Sequence, residues 1–229
     1  IGRNSDQTFY FDARLDWKRS FGDHNLTAMA MYMMREYRSD VLPNRNQGYS
    51  GRVTYDYASK YLVEFNFGYN GSERLAAGQR FEFFPAVSAG WVASSEKLWE
   101  PISKSINHFK IRGSYGLVGS DAFASGAPHF LYQNNIGIGS AHKFWTGLPT
   151  SEISKQGPGF YVLAVQDAGW EHVKKFDIGF DMMLFDQLNI TFDYFHDKRE
   201  RILMSRASWP SMLGYWGSKP WSNIGEVEN

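Results

Sequence analysis

The chain has 229 residues, with 24 Lys+Arg against 24 Asp+Glu and therefore no formal net charge. That balance argues against a nucleic-acid partner, which needs a basic face, and excludes an acidic solvating tail. The absence of cysteine excludes disulfide frameworks and thiolate metal sites. The first element, Thr8 to Lys18, alternates without a break: Phe9, Phe11, Ala13, Leu15 and Trp17 are apolar, while Tyr10, Asp12, Arg14, Asp16 and Lys18 are polar or amphipathic. A period of two defines a strand with one apolar and one polar face. Leu26 to Arg35 follows as a strand, but its residues are apolar on both faces and its register is left open.

The alternation recurs along the chain. In Gly48–Tyr57, Tyr49, Val53, Tyr55 and Tyr57 oppose Ser50, Arg52, Thr54 and Asp56. In Tyr61–Asn70, Tyr61, Val63, Phe65, Phe67 and Tyr69 oppose Glu64, Asn66 and Asn70. Phe84–Val92 carries Pro85, Val87, Ala89 and Trp91 on one face and mostly small residues on the other. Phe109 to Leu117, Lys175 to Leu184 and Leu188 to Tyr194 complete the series. Such strands run to about ten residues, enough for a tilted membrane crossing, where strands of about five or six are usual in soluble folds.

The connections predict the same architecture. Ser20–Asn25, Ala58–Lys60 and Phe185–Gln187 read as short turns, and Ser94–Asn107 as a longer one in which SSEKLWEPI forms a helical turn. Tyr37–Gln47, Gly71–Phe83, Gly119–Trp170 and Arg199–Asn223 read as long loops. Short turns alternating with long loops is the pattern of outer-membrane barrels. Aromatic residues fit it: Trp17, Tyr57, Tyr61, Trp91 and Phe109 lie at the short-turn end, and Phe9, Tyr49, Tyr69, Tyr115 and Tyr194 toward the long-loop end. Rings at both ends of an apolar face predict two interfacial belts. No run approaches the roughly 18 apolar residues of a membrane helix, so a spanning chain would do so as closed β-structure. The alternative for the same alternation is a soluble, carbohydrate-binding β-sandwich on the cell surface, whose apolar face packs on a second sheet.

Several segments carry a family resemblance. YLVEFNFGYNGSERL (Tyr61–Leu75), FFPAVSAGW (Phe83–Trp91), NHFKIRGSYGLVGSD (Asn107–Asp121), the run from Trp170 to Met204 and NIGEVEN (Asn223–Asn229) together resemble the SusC-like TonB-dependent outer-membrane transporters, typical of Bacteroidetes. The resemblance covers most of the chain and is weakest over 122–165. It implies an all-β, antiparallel transmembrane barrel, of which residues 1–229 supply about eight or nine strands, the plug and remaining strands lying outside the chain. Family barrels have 22 strands around a plug. The resemblance also implies import of oligosaccharides, and sometimes peptides, across the bacterial outer membrane with energy from TonB, acting through the plug segment. A SusD-like surface lipoprotein serves as the lid, and outer-membrane lipid surrounds the wall. The missing initiating Met and the NIGEVEN end, which looks like the start of a further strand, lead to the expectation that the chain is a middle-to-late piece of such a barrel.

Catalytic and cofactor motifs are not found. The six histidines form no HExxH or other close ligand pair, there is no GxSxG, and Gly137-Ile138-Gly139 and Gly157-Pro158-Gly159 fall short of GxGxxG. The expectation is a non-enzyme without cofactor or metal. On the polar face, Asp12, Asp16, Asp56, Glu64, Asp177, Asp181 and Asp193 are matched by Arg14, Lys18, Arg52, Lys110, Arg112 and Lys175, a charge-balanced wall suited to neutral cargo. The candidate substrate- or lid-contacting residues are loop aromatics: Tyr132, Phe144, Trp145 and Tyr161 in the third long loop, and Trp209, Tyr215 and Trp216 in the last. Their amphipathic rings suit stacking on sugars or on a partner surface.

Overall fold

The computed structural model describes residues 6–38, 43–123, 127–138, 143–147, 153–206, 208, 210, 212 and 220–229. Among the described residues, nine long strands form one antiparallel sheet: β1 (Gln7–Phe21), β2 (His24–Arg38), β3 (Asn44–Tyr57), β4 (Tyr61–Ser72), β5 (Phe81–Val92), β6 (Ile106–Ser120), β11 (Glu171–Leu184), β12 (Leu188–Ser205) and β13 (Trp221–Glu228). Each pairs with its neighbours in this order, β1 and β13 being the edges. Between β6 and β11 the described residues form four short strands: β7 (Asn135–Gly137), β8 (Lys143–Thr146), β9 (Ile153–Gln156) and β10 (Gly159–Val162). They form two separate ribbons, β7 with β10 and β8 with β9.

Register fixes the faces, because residues directly opposite share one side of a sheet. Trp17 pairs with Ala28, Ala28 with Val53, Val53 with Phe65 and Phe65 with Val87. The same row continues through Tyr115, Phe176 and His196. This settles β2, whose composition left its register open. Leu26, Ala28, Ala30, Tyr32 and Met34 join the apolar face, and Asn25, Thr27, Met29, Met31, Met33 and Arg35 the polar one.

The row also shows stagger. Trp17, Ala28, Val53, Phe65 and Val87 each sit four residues from the end of their strand pairing at the short-turn end, whereas β6 continues past Val92↔Lys110 to pair β11 down to Ile106. The longer β5–β6 connection accommodates this step, and stagger is what tilted strands of a barrel require. That connection holds two 3-10 turns, Ala93–Ser95 and Lys97–Ile102, where the sequence predicted one helical turn.

Turn chemistry explains the tight ends. Phe21 and His24 close a two-residue hairpin in which Gly22 has φ +58°, the left-handed geometry glycine adopts freely. Ala58 and Ser59, and again Phe185 and Asp186, hold positive φ without glycine, each pair closed by a backbone bond, Lys60 N–H to Tyr57 O and Gln187 N–H to Leu184 O. At the other end, the strands extend further than the alternation predicted. β2 reaches Arg38 and β3 starts at Asn44, β12 reaches Ser205 and β13 starts at Trp221. The supposed long loops there are partly paired strand, because backbone ladders continue where the side chains cease to alternate.

The apolar face is uncovered: Phe11, Leu15, Val53, Phe65, Val87, Ile178 and Phe192 are exposed, Leu15 at 72%. Among the described residues no second sheet lies over it, as a sandwich would need. Rings cluster at its two levels. Tyr57 stacks near Tyr61 and Trp99 stacks on Phe109 at the short-turn end, and Tyr32 meets Tyr49 and Tyr69 meets Phe81 toward the other. The buried core is a cluster at the long-loop end: Leu75, Phe84, Leu131, Val165, Ala168, Trp170 and Leu203.

Candidate functional site

The polar face is laced with charge pairs. Arg112 on β6 reaches three carboxylates on the two following strands, Asp193 at 2.6 Å, Asp181 at 3.3 Å and Asp177 at 3.8 Å. Thr191 donates to Asp181, and Lys175 pairs with Asp197 at 3.1 Å. On β3 and β4, Arg52 donates to Asn66, Asn66 to Glu64, and Thr54 to Glu64. Arg14 pairs with Asp16 at 2.7 Å, and Asn25 donates to Asp56. All seven carboxylates expected on this face have face-mates there by register. A cavity of about 380 Å³ opens on it, lined by Thr54, Glu64, Ser88, Lys110, Arg112 and Asp177. Among the described residues no group of three metal-ligating side chains forms. The wall is wettable and close to neutral in charge.

Above the wall, a clasp gathers segments distant in sequence. The Asn223 carboxamide accepts from Gly169 N–H at 3.1 Å and donates to Gly169 O at 3.0 Å and to Arg201 O at 2.7 Å. Buried Glu171 accepts from Leu203 N–H at 3.2 Å, and Trp170 Nε1 donates to Arg80 O at 3.0 Å. Arg201 lies at a register shift between β12 and β13 and holds φ +59°. Such a bulge re-aims a side chain, and here the guanidinium is turned toward Glu82 at 3.6 Å and His172 at 3.3 Å. His172 is 2.8 Å from Glu82. A Cβ on Gly169 would crowd the end of the Arg201 side chain, which would have to shift aside. The sequence reading did not single out these residues as a unit. Their only trace was that Trp170, Glu171, His172, Arg201, Leu203 and Asn223 fell inside the segments carrying the resemblance.

The clasp and the buried cluster seat the loop that carries the predicted aromatics. Leu131 is buried and its carbonyl accepts from Val165 N–H at 2.7 Å. Tyr132 is half-buried, its ring edge-on to Phe130 at 5.8 Å and its carbonyl bonded by Gln166. It belongs to the anchored base of the loop. Phe144 and Trp145 on β8 and Tyr161 on β10 are exposed, Trp145 at 64%. The structure therefore divides the predicted set: Tyr132 packs within the loop, and Phe144, Trp145 and Tyr161 face outward. Trp209, Tyr215 and Trp216 lie outside the described residues.

Two connecting segments carry perturbed charges. Burial lowers the Arg74 pKa, partly offset by Asp121; its guanidinium lies over the Phe123 ring at 4.3 Å. Glu96 is held below the usual carboxylate range, chiefly by the Tyr61 hydroxyl at 2.9 Å and then by Lys60, with desolvation opposing. These contacts tie the β5–β6 connection to the end of β4.

No family model matches the chain. Among curated proteins it is 31% identical over 180 residues to TonB-dependent receptor P3 of Formosa agariphila, covering 78% of this chain and 16% of that protein. TonB-dependent receptor SusC of Bacteroides thetaiotaomicron is 27% identical over 86 residues, covering 38% of this chain and 8% of that protein. The chain thus spans about a sixth of the length of the first relatives it matches, 16% and 17%. Among solved structures, the RagAB peptide importer in its closed-closed state superposes with a TM-score of 0.77 over 97% of this chain and 26% of that one, at 17% identity. The siderophore receptor PirA from Pseudomonas aeruginosa superposes with a TM-score of 0.57 at 10% identity. Strand order, two-faced strands and these likenesses define a barrel segment of the TonB-dependent receptors. Within that class, the chain is similar to SusC and, in fold, to the RagAB importer.

Proposed function

We propose that this segment forms part of the wall of an outer-membrane active transporter that imports oligosaccharides or similar nutrients, powered through TonB. The observation that carries the proposal is the two-faced, staggered sheet: an uncovered apolar face for lipid and a charge-balanced polar face for a wet lumen. In this reading, residues 1–229 serve wholly as barrel. The plug, the TonB-contacting segment and the remaining strands belong to the rest of the receptor. The wall crosses the bacterial outer membrane many times. In this reading its role is passage rather than covalent chemistry, and Asp177, Asp181, Asp193 and Asp197 serve to balance Arg112 and Lys175 along the wall. The exposed aromatics Phe144, Trp145 and Tyr161 meet the cargo or a SusD-like surface lipoprotein that closes the barrel.

The test is uptake. Cells producing the full-length receptor are given labelled neutral oligosaccharides and oligopeptides, with TonB intact or inactivated. Accumulation that requires both the receptor and TonB supports the reading. Accumulation of none of these cargoes, or uptake indifferent to TonB, overturns it.

A further inference from the structure

Adjacent strand residues face opposite ways, so of the neighbouring rings Tyr194 and Phe195 only one can meet lipid. Tyr194 pairs with Ile178 and Phe195 with Asp177, which places Tyr194 on the apolar face and Phe195 on the polar one. An apolar ring there breaks the polar-in rule of barrel walls. Its surroundings are ordered and ionic. Asp193 and Asp197 flank it two residues away on the same face, about 7 Å along the strand on either side. Asp193 is fixed by Arg112 at 2.6 Å, Asp197 by Lys175 at 3.1 Å, and Asp177 lies 3.8 Å from Arg112.

We propose that Phe195 is a stacking platform for a sugar ring on the lumen wall, with Asp193, Asp197 and Asp177 accepting its hydroxyls. This rests on the reading of the polar face as a transport lumen. The chemistry is complementary in detail. One side of a pyranose is a C–H face that packs on an aromatic ring, and its rim is a circle of hydroxyl donors. An ionised carboxylate has about four lone-pair sites, so each Asp keeps acceptor capacity after its ion pair forms. The ion pairs lie within the wall and hold the carboxylates in place before cargo arrives, which lowers the ordering cost of binding. A dry protein surface laid over the ring would instead desolvate these ion pairs, a cost of several kcal/mol per ion in general. A hydroxylated ligand replaces the water it removes.

The experiment uses the full-length receptor in its own outer membrane. Saturation uptake is measured for a panel of neutral hexa- and heptasaccharides, maltoheptaose, laminarihexaose and xylohexaose among them, and for a neutral hexapeptide. Phe195→Ala is expected to raise the KM for the imported saccharide about three- to tenfold at unchanged maximal rate and surface level. Phe195→Trp is expected to preserve it. Phe195→Leu, which keeps bulk but removes the ring, is expected to behave as the Ala variant and stands in for it if the latter does not assemble. An unchanged KM in Phe195→Leu overturns the platform while leaving transport intact. So does an equal loss of affinity for the hexapeptide. Absence of saccharide import by the unaltered receptor overturns both the platform and the oligosaccharide reading beneath it.

Discussion

Asn223→Ala should release the loop that ends at Trp170 without dismantling the wall. The Asn223 side chain makes three hydrogen bonds, two to Gly169 and one to Arg201 O, at 2.7 to 3.1 Å. At about 1 kcal/mol net for each, and with the partners only part-buried, the loss is about 2–3 kcal/mol. That corresponds to a roughly 30- to 150-fold rise in local opening. Hydrogen exchange on the full-length receptor should show it at residues 165–169 and at 127–133, which pack on the same buried cluster. Strands β3 and β4, remote from the clasp, should exchange as before. Asn223→Asp keeps an acceptor for Gly169 N–H but sets a carboxylate oxygen against Gly169 O and Arg201 O, so it should restore no protection over Asn223→Ala. If Asn223→Ala leaves these amides as protected as in the unaltered receptor, the clasp does not anchor the loop.

Other consequences follow from the two faces and the connections. Phe65→Arg places a cation on the middle of the apolar face and should cost about 2–4 kcal/mol, whereas Ser50→Arg on the polar face should cost close to nothing; equal losses in urea titrations of heat-modifiable migration would contradict the face assignment. Trp145→Ala should leave the barrel assembled while lowering cargo uptake or lipoprotein docking at least about threefold, in line with the loss of one aromatic contact; if both are unchanged, the exposed loop ring has no such role. Glu96 has a depressed folded pKa, so its contribution is present above the unfolded carboxylate value and is lost as pH falls through the folded one. The β5–β6 connection should therefore become more protease-sensitive below about pH 4, and Glu96→Gln should flatten that dependence; an identical pH profile in both proteins would refute it.

The wall was legible in the sequence because period-two alternation is a local property. Phe9, Phe11 and Leu15 announce their face without knowledge of any neighbour, and nine paired strands match the eight or nine expected. β2 was not legible in register, since Met and Ala occupy both of its faces, and only pairing with β1 and β3 decides between them. Strand ends were set too short because Glu36, Arg38 and Arg45 carry no apolar alternation, yet they continue the ladder and pair with one another at 2.9 to 3.0 Å. Ribbons of three or four residues, such as β7 and β10, are below the length at which alternation is distinguishable from chance. The clasp was hidden for a different reason. Asn223 meets Gly169 54 residues away and Trp170 meets Arg80 90 residues away, and a carboxamide in a strand gives no sign of its partner. Phe195 left a faint trace as the second of two adjacent aromatics, but the ion pairs that frame it come from β6 and β11.

The central claim is that one face of this sheet meets lipid and the other water. The chain contains no cysteine, so single cysteines at positions 62 to 67 of β4, in the full-length receptor in native membranes, can be labelled with a fluorophore without interference from this segment. Quenching by nitroxide-bearing lipids should alternate residue by residue, strong at 63, 65 and 67 and weak at 62, 64 and 66, with the reverse order for a water-soluble quencher. Uniform quenching by either reagent, or lipid contact at the even positions, would contradict the barrel-wall assignment.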